Sequence, residues 1–316
     1  MEKTELKPKL LITGVAGGLA QLVVDLLARK YRLVGIDPRP LPDGIRFPGE
    51  FASMDYRSRK LDELFRQHEF HAVLHLGRLP LGYLAKDSDR FNVNVLGTRH
   101  LLELCARHRV QNVVVCSSFH VYGAHPHNPL YLSEDDPLRA SHTFPELVDA
   151  VELDNTATAF LLKHPEIRVV VLRPCNVIGP SIRNRISTFL RSRFCPYSLG
   201  FDPPMQFLHE ADFARAVKLA LECPKRGVYN VAGEGVVPFT HAIRIAGAKA
   251  VPFAQLLVSP LGLPLRGLGF PLHLADYFRF PVVISDQPFR REFGFRSQIT
   301  TRDALNDVRS TGTEEE

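Results

Sequence analysis

Cysteine is scarce in this chain, with five residues among 316. None of the five belongs to a CxxC pair, and an odd number does not suit a framework of disulfides. These features exclude the small secreted domains that disulfides stabilise, and they favour a reducing compartment. We therefore expect a cytoplasmic protein.

Long hydrophobic runs and targeting signals are also missing. The longest apolar stretch, residues 251–265, is interrupted by three prolines and is too short to span a bilayer. The first residues, MEKTELKPKLLITG, pass from charged side chains directly into a short apolar run, without the hydrophobic region of a signal peptide. We predict neither a transmembrane span nor secretion.

Positive charge is present but dispersed, with a formal net charge of +5. The basic clusters at residues 57–60, 183–185 and 290–291 are short and contain no interleaved aromatic residues. Nucleic-acid-binding surfaces need longer basic patches than these. We predict no nucleic-acid partner, and the sequence suggests no metal site.

Periodic apolar segments make up most of the chain, and 45% hydrophobic with 23% charged residues is typical of a globular protein. Short runs such as KLLIT, RLVGI, HAVLHL and NVVVC alternate with longer amphipathic stretches. This alternation predicts an α/β fold with a Rossmann-type doubly wound parallel sheet. We assign residues 1–176 and 205–234 to a NAD-binding domain. Residues 177–204 and 235–310 would form a smaller, irregular C-terminal substrate lobe, and 311–316 a disordered tail.

A glycine-rich turn, TGVAGGLA, lies directly after the first predicted strand and before an amphipathic helix. Gly14 permits a tight turn, and Gly17 lets the backbone approach a pyrophosphate, which the N–H groups of the helix N-terminus attract. The alternative is a plain strand–turn–helix without a ligand. The predicted contact residues are Gly14, Ala16, Gly17, Gly18 and Leu19.

Asp37 ends the second predicted strand, about twenty residues after the glycine turn, where a carboxylate accepts the ribose hydroxyls of NAD. The same carboxylate repels the 2′-phosphate of NADP. Arg39, two residues later, would attract that phosphate instead. The charge argument favours NAD, with NADP as the alternative.

Further motifs follow in order: SMDY, HLG, NVNVLGT, VVCSSFHVYG, VLRPCNVIGP and FLHEADFARAV. Together with the glycine turn, they make the chain resemble the extended short-chain dehydrogenase/reductase family, the NAD-dependent epimerases and dehydratases. Taken singly, each residue is also compatible with ordinary strand and turn chemistry. The resemblance implies further cofactor contacts. Asp55, with Tyr56 beside it, would lie at the adenine, and Leu76, Gly77 and Arg78 would lie on the adenosine side. Asn94 would lie near the catalytic strand, and Arg173, Pro174 and Asn176 would lie at the nicotinamide end.

The resemblance fails at the catalytic pair. The family uses a Tyr-x-x-x-Lys pair on a helix, in which the phenol is the acid or base and the lysine lowers its pKa. Residues 132–162 of this chain contain neither Tyr nor Lys. The best ungapped placement puts Glu146 at the tyrosine position and Ala150 at the lysine position. We interpret the YxxxK sequence at Tyr56 as a coincidence.

Two polar residues remain as catalytic candidates. Ser118 matches the family's serine that binds the substrate hydroxyl or carbonyl, and His120 stands where related dehydratases carry a glutamate base. Imidazole exchanges protons near neutral pH, so His120 is a candidate replacement base. The alternative is a loop histidine that is hydrogen-bonded to backbone.

The substrate side also departs from the family. Enzymes of the family that act on nucleotide sugars place an arginine before a hydrophobic-His-x-x-Asp motif, and Met205 replaces it here, ahead of Leu208–Asp212. A diphosphate loses its charged partner, which disfavours a nucleotide sugar. Residues 255–281 are rich in Leu, Phe, Pro and Gly, so we expect an unknown small-molecule or protein ligand at an apolar lobe, with buried irregular helices as the alternative. The predicted helices near 94–108 and 146–163 carry apolar residues on more than one face, which favours a homodimer.

Three hypotheses follow, and they leave open whether the chain is an enzyme. The first is a dinucleotide-responsive regulatory or interaction protein with impaired catalysis. The second is an atypical NAD(P)-dependent oxidoreductase or epimerase that uses Ser118 and His120, or an acid from residues 146–152, on an apolar substrate other than a nucleotide sugar. The third is a docking module that has lost the cofactor, and the intact Gly14, Gly17 and Asp37 argue against it.

Overall fold

The computed structural model describes residues 7–79, 87–253 and 276–310. The described strands are β1 (Lys9–Thr13), β2 (Arg32–Asp37), β3 (Gly49–Ser53), β4 (Phe70–His75), β5 (Asn112–Cys116), β6 (Arg168–Pro174), β7 (Asn176–Ile178), β8 (Phe194–Ser198), β9 (Pro204–Met205), β10 (Phe207–His209), β11 (Gly227–Val231), β12 (Val237–Pro238) and β13 (Lys249–Phe253).

The α-helices of the described residues are α1 (Gly18–Ala28), α2 (Lys60–Gln67), α3 (Asp87–Phe91), α4 (Thr98–Arg107), α5 (Ala140–Thr143), α6 (Val148–Lys163), α7 (Arg185–Arg191), α8 (Glu210–Glu222), α9 (Phe239–Ile245), α10 (Gln287–Phe293) and α11 (Thr301–Asp307). A π-helix covers Asn92–Gly97, and short 3₁₀ helices cover Phe119–Tyr122, Pro145–Leu147 and Asp276–Phe278.

A seven-stranded sheet in the order β11-β6-β5-β4-β1-β2-β3 is the centre of the fold. The pairings of β1 with β2 and β4, of β2 with β3, and of β5 with β4 and β6 are all parallel. The strand order reverses between β1 and β4, and ligands of doubly wound sheets bind at the carboxyl ends of the strands at such a point. The predicted fold class is therefore confirmed.

The central strands are buried because helices cover both faces of a parallel sheet, so their sequences are continuously apolar. In β1, Leu10, Leu11 and Ile12 are completely buried. In α1 the buried stripe is Ala20, Val23, Val24 and Leu27, spaced at three and four residues as one helix face requires. This packing fixes the turn between β1 and α1.

The chain divides into two compact units. Unit 1 is Met1–Ser117, Glu152–Leu172 and Ala214–Tyr229, and unit 2 is Ser118–Val151, Arg173–Phe213 and Asn230–Glu316. Unit 2 contains small two-stranded sheets, in which β10 pairs with β7 and β13 with β8 in parallel, and β12 pairs with β9 antiparallel. The sequence-based division places residues 118–151 in the cofactor domain and the compact units place them in unit 2, so the assignment of a cofactor domain and a substrate lobe stays a prediction.

Two segments singled out by sequence lie wholly or mostly outside the described residues. The tail at 311–316 is one, and the apolar stretch 251–265 is described only over its first three residues, which end β13. Among the described residues, no helix is long and apolar enough to cross a membrane.

Candidate functional site

The glycine turn lies where the sequence predicted it, between β1 and α1. Gly14 has a φ of +76°, and a Cβ on it would lie 2.6 Å from the Cα of Gly77. The Gly14 N–H donates to Ile36 O at 2.9 Å, and the Gly17 N–H donates to Gly14 O at 3.0 Å. The turn therefore presses against the ends of β2 and β4 and leaves no room for a side chain at Gly14.

The N-terminus of α1 begins in this turn. Gly17 is the N-cap in an extended conformation, and no side chain caps this end. A Cβ at Gly17 would lie 3.1 Å from Gly14 O, so the missing side chain keeps the backbone accessible. Gly18 is exposed, and Ala16 and Leu19 are half-buried. Uncapped N–H groups and the positive end of the helix dipole suit a pyrophosphate.

Asp37 lies at the end of β2 and is almost completely buried. Its Oδ2 accepts from the backbone N–H of Ala16 at 3.1 Å, which ties the carboxylate to the glycine turn. The side chain of Arg39 donates to both oxygens, from Nε at 2.9 Å and from Nη2 at 3.0 Å. The backbone N–H of Arg39 also donates to Asp37 Oδ1, at 2.9 Å.

This pairing bears on the choice of dinucleotide. A carboxylate offers about four acceptor positions, and Asp37 uses them on Ala16 and Arg39. The Arg39 side chain is 51% exposed and can swing away, whereas Asp37 is fixed. A ligand that reaches Asp37 would have to displace the exposed Arg39 side chain. While the pair is intact, Asp37 neutralises the charge that would attract a 2′-phosphate.

Asp55 and Tyr56, after β3, have different environments. Asp55 accepts from the backbone and side chain of Arg57. Burial opposes ionisation of Asp55, but these hydrogen bonds outweigh it and lower the pKa of the carboxyl. Tyr56 is buried, and its hydroxyl donates to Gly77 O at 2.9 Å, while Lys60 is exposed. Because the Tyr56 hydroxyl donates to a backbone carbonyl, it does not act with Lys60, which supports the interpretation of this YxxxK sequence as a coincidence.

His75, at the end of β4, is a site residue that sequence reasoning missed. Its Nδ1 lies 2.6 Å from Thr13 Oγ1, and its Nε2 lies 2.8 Å from Thr98 Oγ1. Thr98 uses its single hydroxyl proton on Asn94 O, so the hydrogen bonds assign the His75 proton to Nε2. Burial lowers the pKa of His75 to about 3, which keeps it neutral.

The remaining predicted residues of unit 1 follow β4 in the sequence. Thr13 Oγ1 also accepts from the Gly77 N–H at 3.0 Å. The Asn94 side chain binds the backbone of Leu79 twice, at 2.8 Å and 3.0 Å. Leu76 is half-buried and Arg78 is exposed. Hydrogen bonds from Thr13 and Asn94 thus hold the backbone of Gly77 and Leu79, and the histidine that ends an apolar strand was the sequence signal for this network.

Ser118 and His120 of unit 2 form a hydrogen-bonded pair. Ser118 is the N-cap of the 3₁₀ helix Phe119–Tyr122, and its Oγ lies 2.8 Å from His120 Nδ1. The Tyr277 hydroxyl donates to His120 O at 2.8 Å, and the His120 and Tyr277 rings are 5.1 Å apart. The aromatic neighbours hold the imidazole beside the serine hydroxyl.

Arg173 lies in a buried polar cluster of unit 2. Its Nη1 donates to the Tyr122 hydroxyl at 2.8 Å and to Glu134 O at 3.1 Å. Tyr122 in turn donates to Asn230 Oδ1 at 2.8 Å. Burial raises the pKa of Tyr122 to about 12, partly offset by Arg173. Sequence reasoning missed Tyr122, Glu134 and Asn230, because this cluster joins segments far apart in the chain.

The other predicted residues of unit 2 are placed as follows. Pro174 ends β6, and Asn176 is buried at the start of β7 with its Nδ2 bonded to Gln206 O at 3.1 Å. Glu146 lies in the 3₁₀ helix Pro145–Leu147, and Ala150 lies in the first turn of α6. A helix therefore starts where the family's catalytic helix was expected, and the absence of the Tyr and Lys pair from it stays a prediction from the sequence.

The structure thus brings the predicted residues together in two groups. In unit 1, the glycine turn contacts Asp37 and Gly77, and Tyr56 joins it through Gly77. In unit 2, Ser118 is paired with His120, while Arg173 belongs to the Tyr122 cluster. The assignment of these residues to a cofactor or to catalysis stays a prediction.

Comparison with protein families finds one match over most of the chain. Residues 10–232 match the model of the NAD dependent epimerase/dehydratase family. The match includes β1, the glycine turn, Asp37 and the Ser118 segment.

Two examples of similar curated proteins match this chain over most of their length. UDP-glucose 4-epimerase of Pongo abelii is 34% identical over 296 residues, covering 78% of this chain and 84% of that protein. The uncharacterized protein Rv0501 of Mycobacterium tuberculosis is 29% identical over 310 residues, covering 94% of this chain and 82% of that protein.

Solved structures show the same fold. MoeE5 in complex with UDP-glucuronic acid and NAD has a TM-score of 0.77 at 24% identity, covering 97% of this chain and all of that one. The UDP-glucose 4-epimerase of Thermus thermophilus in complex with NAD has a TM-score of 0.75 at 21% identity. It covers 97% of this chain and 100% of that one.

Proposed function

The chain belongs to the NAD dependent epimerase/dehydratase family, and we propose that it binds NAD at the glycine turn and transfers protons with Ser118 and His120. The observation that carries the catalytic part is the 2.8 Å hydrogen bond between Ser118 Oγ and His120 Nδ1. It places a group that titrates near neutral pH on a hydroxyl. The proposed activity is an NAD-dependent oxidation of a secondary alcohol, as the first step of an epimerase- or dehydratase-type reaction.

The residues of unit 1 fit a dinucleotide. The glycine backbone and the uncapped start of α1 hold the pyrophosphate, and Asp37 accepts the ribose hydroxyls once Arg39 has moved. We also propose that Asp55, Tyr56, Leu76 to Arg78 and Asn94 border the adenosine half. Arg173, Pro174 and Asn176 stay proposed contacts at the nicotinamide end. NAD, when bound, supplies the hydride acceptor.

Ser118 and His120 supply the proton chemistry. Oxidation of a secondary alcohol removes a hydride from carbon and a proton from oxygen. Ser118 Oγ binds the alcohol, and His120 receives the proton through Ser118, as a general base does in serine–histidine pairs. Reduction of the resulting carbonyl reverses the same proton path, so one pair serves both directions.

For the substrate, we retain a secondary alcohol without a nucleotide diphosphate. Met205, half-buried in β9, brings no positive charge to the position where the resemblance expects an arginine. The named relatives include UDP-glucose 4-epimerases, so UDP-glucose is the comparison compound in any substrate panel. Turnover of UDP-glucose above that of apolar secondary alcohols would contradict this part of the proposal.

Cofactor binding is tested first, by titrating the full chain with NADH and following nicotinamide fluorescence. We expect saturable binding, with weaker binding of NADPH. Absence of binding at millimolar NADH would refute the proposal and leave the docking-module hypothesis.

Catalysis is tested with Ser118→Ala and His120→Ala in a panel of alcohols and ketones. Each variant should lose about 100-fold in rate, the usual range for a general base, with NADH affinity unchanged. His127→Ala, an exposed histidine nearby in sequence, is the control and should keep full activity. Equal rates in all three variants would rule out the Ser118–His120 pair as the proton carrier.

A second candidate function is favoured by Glu146 and Ala150. These residues stand where the family carries its Tyr and Lys, and neither can replace a phenol held by an amine. The chain would then be a dinucleotide-responsive regulatory or interaction protein. Saturable NADH binding with no turnover across the whole panel would favour this candidate over the enzyme.

We further propose a cytoplasmic homodimer. The apolar side chains of Leu96 and Leu162 in unit 1 are 44% and 76% exposed, and a second copy can bury them. Cytoplasmic location agrees with the unpaired state of all five cysteines. Sedimentation of the wild type and of Leu162→Asp should give a dimer and a monomer, respectively.

A further inference from the structure

Unit 2 contains an open cavity of about 560 Å³ that involves neither the glycine turn nor Ser118 and His120. It is lined by Glu234, after β11, and by residues of α10 and the segment that follows. Its lining includes three arginines and one glutamate. The polar lining residues are Glu234, Gln287, Arg290, Arg291, Arg296 and Ser297.

The cavity wall is fixed by aromatic packing. Phe289 is completely buried, and its ring stacks on Phe293 at 4.5 Å and contacts Phe295 at 5.3 Å. Gly294, with a φ of +65°, ends α10 in the left-handed region and reverses the chain. The reversal brings Arg296 to the cavity that Arg290 lines from the helix.

The arginines differ in how firmly they are held. Arg290 Nε donates to Asp286 Oδ2 at 2.7 Å, and Asp286 is buried, so this guanidinium is oriented and its charge partly neutralised. Arg291 is 79% exposed and lies 3.7 Å from Glu292, a distance that constrains it little. Arg291 is therefore more adaptable than Arg290, which Asp286 holds in place.

We propose that this cavity binds a phosphorylated sugar or polyol. Guanidinium groups bind phosphate oxygens in pairs of parallel hydrogen bonds, which favours a phosphoryl group over a carboxylate of lower charge. Glu234 and Gln287 bind hydroxyl groups of the same molecule, which an isolated inorganic phosphate lacks. The volume lies within the range of small-molecule sites. The proposal is independent of the proposed NAD-dependent activity.

The test is isothermal titration calorimetry, in which the full chain is titrated separately with glucose 1-phosphate, glucose and inorganic phosphate. We expect saturable binding of glucose 1-phosphate, weaker binding of phosphate, and none of glucose. The double variant Arg291→Gln, Arg296→Gln should bind at least about tenfold more weakly, because two charge-assisted hydrogen-bond donors are lost. Arg32→Gln, an exposed arginine of unit 1, should bind like the wild type.

Several outcomes would overturn the proposal. The first is an absence of glucose 1-phosphate binding at about 10 mM, the limit for a weak site. The others are an unchanged affinity in the double variant and equal affinities for glucose 1-phosphate and inorganic phosphate. Displacement of bound NADH by glucose 1-phosphate would assign its binding to the glycine turn instead. Since these readouts use no turnover, failure of the enzymatic proposal does not affect them.

Discussion

The glycine turn of unit 1 and the Tyr122 cluster of unit 2 both place polar groups beside candidate site residues, but they are built differently. The turn is made of backbone, and its geometry follows from glycines within a few residues of each other. The Tyr122 cluster is made of side chains, and its central bond joins Tyr122 to Asn230, which are 108 residues apart. A local motif can be recognised in sequence, whereas a long-range cluster cannot.

The turn and the Tyr122 cluster also differ in how a substitution lowers stability. The turn is held by backbone hydrogen bonds and by the close approach of Gly14 to Gly77, so a substitution at Gly14 acts through steric strain. In the Tyr122 cluster a substitution instead leaves buried donors and acceptors without partners. The four predictions that follow test this difference, in order of expected effect.

Gly14→Ala should have the largest effect. A positive φ costs an alanine about 1–2 kcal/mol, and the contact of its Cβ with the Gly77 backbone adds a similar amount, so we expect a loss of about 3 kcal/mol. Gly44→Ala is the matched control, because Gly44 has the same φ of +76° with nothing within 4 Å of its Cβ. Denaturant unfolding measures both; equal losses would show that close approach at Gly14 does not matter.

Asp37→Ser should change the choice of dinucleotide. Removal of the carboxylate releases the Arg39 guanidinium that it now holds at 2.9 Å. We expect NADH affinity to fall about 30-fold, with NADPH becoming the tighter ligand, because two hydrogen bonds to ribose are lost and a positive charge is gained. Fluorescence titration of both dinucleotides measures this.

The double variant Asp37→Ser, Arg39→Ala is its control. It should lose the gain in NADPH affinity while keeping the loss in NADH affinity. An Asp37→Ser variant that still prefers NADH would contradict the assignment of Asp37 to the ribose.

Tyr122→Phe should reduce stability by about 1.5 kcal/mol, because it leaves Arg173 Nη1 and Asn230 Oδ1 without the hydroxyl between them. Tyr131→Phe removes a hydroxyl from a side chain that is 50% exposed and should change stability little. Thermal unfolding compares the two variants. Similar small losses in both would mean that the cluster is not a source of stability.

His75 should give the smallest effect, visible as a pH dependence. Burial lowers its pKa from 6.5 to about 3, so the unfolded chain binds a proton there before the folded chain does. Its contribution to stability is complete above the unfolded pKa and is lost as the pH falls toward 3. Between pH 6.5 and about pH 5.5 the loss should be about 1 kcal/mol.

The comparison variant for this effect is His75→Gln. Other histidines titrate in both proteins, so the relevant quantity is the difference between the two pH profiles. The variant should be less stable at neutral pH but should lose less stability on acidification. Parallel profiles would show that His75 is not held neutral in the folded chain.

The sequence by itself determined the α/β fold and the position of the glycine turn. Both depend on local rules: apolar runs of strand length alternate with amphipathic helices, and glycine permits the φ of +76° at Gly14. The end of β2 at Asp37 was also predictable, since it lies at a fixed distance from the turn. The absence of Tyr and Lys from residues 132–162 needs no structure at all.

Only the tertiary structure decided which polar groups meet. It placed His75 between Thr13 and Thr98, and it joined the Tyr122 hydroxyl to Asn230 and Arg173. Contacts of this kind join strand ends and loops whose separation in sequence carries no periodic signal. Their energies depend on burial, which only the folded chain defines.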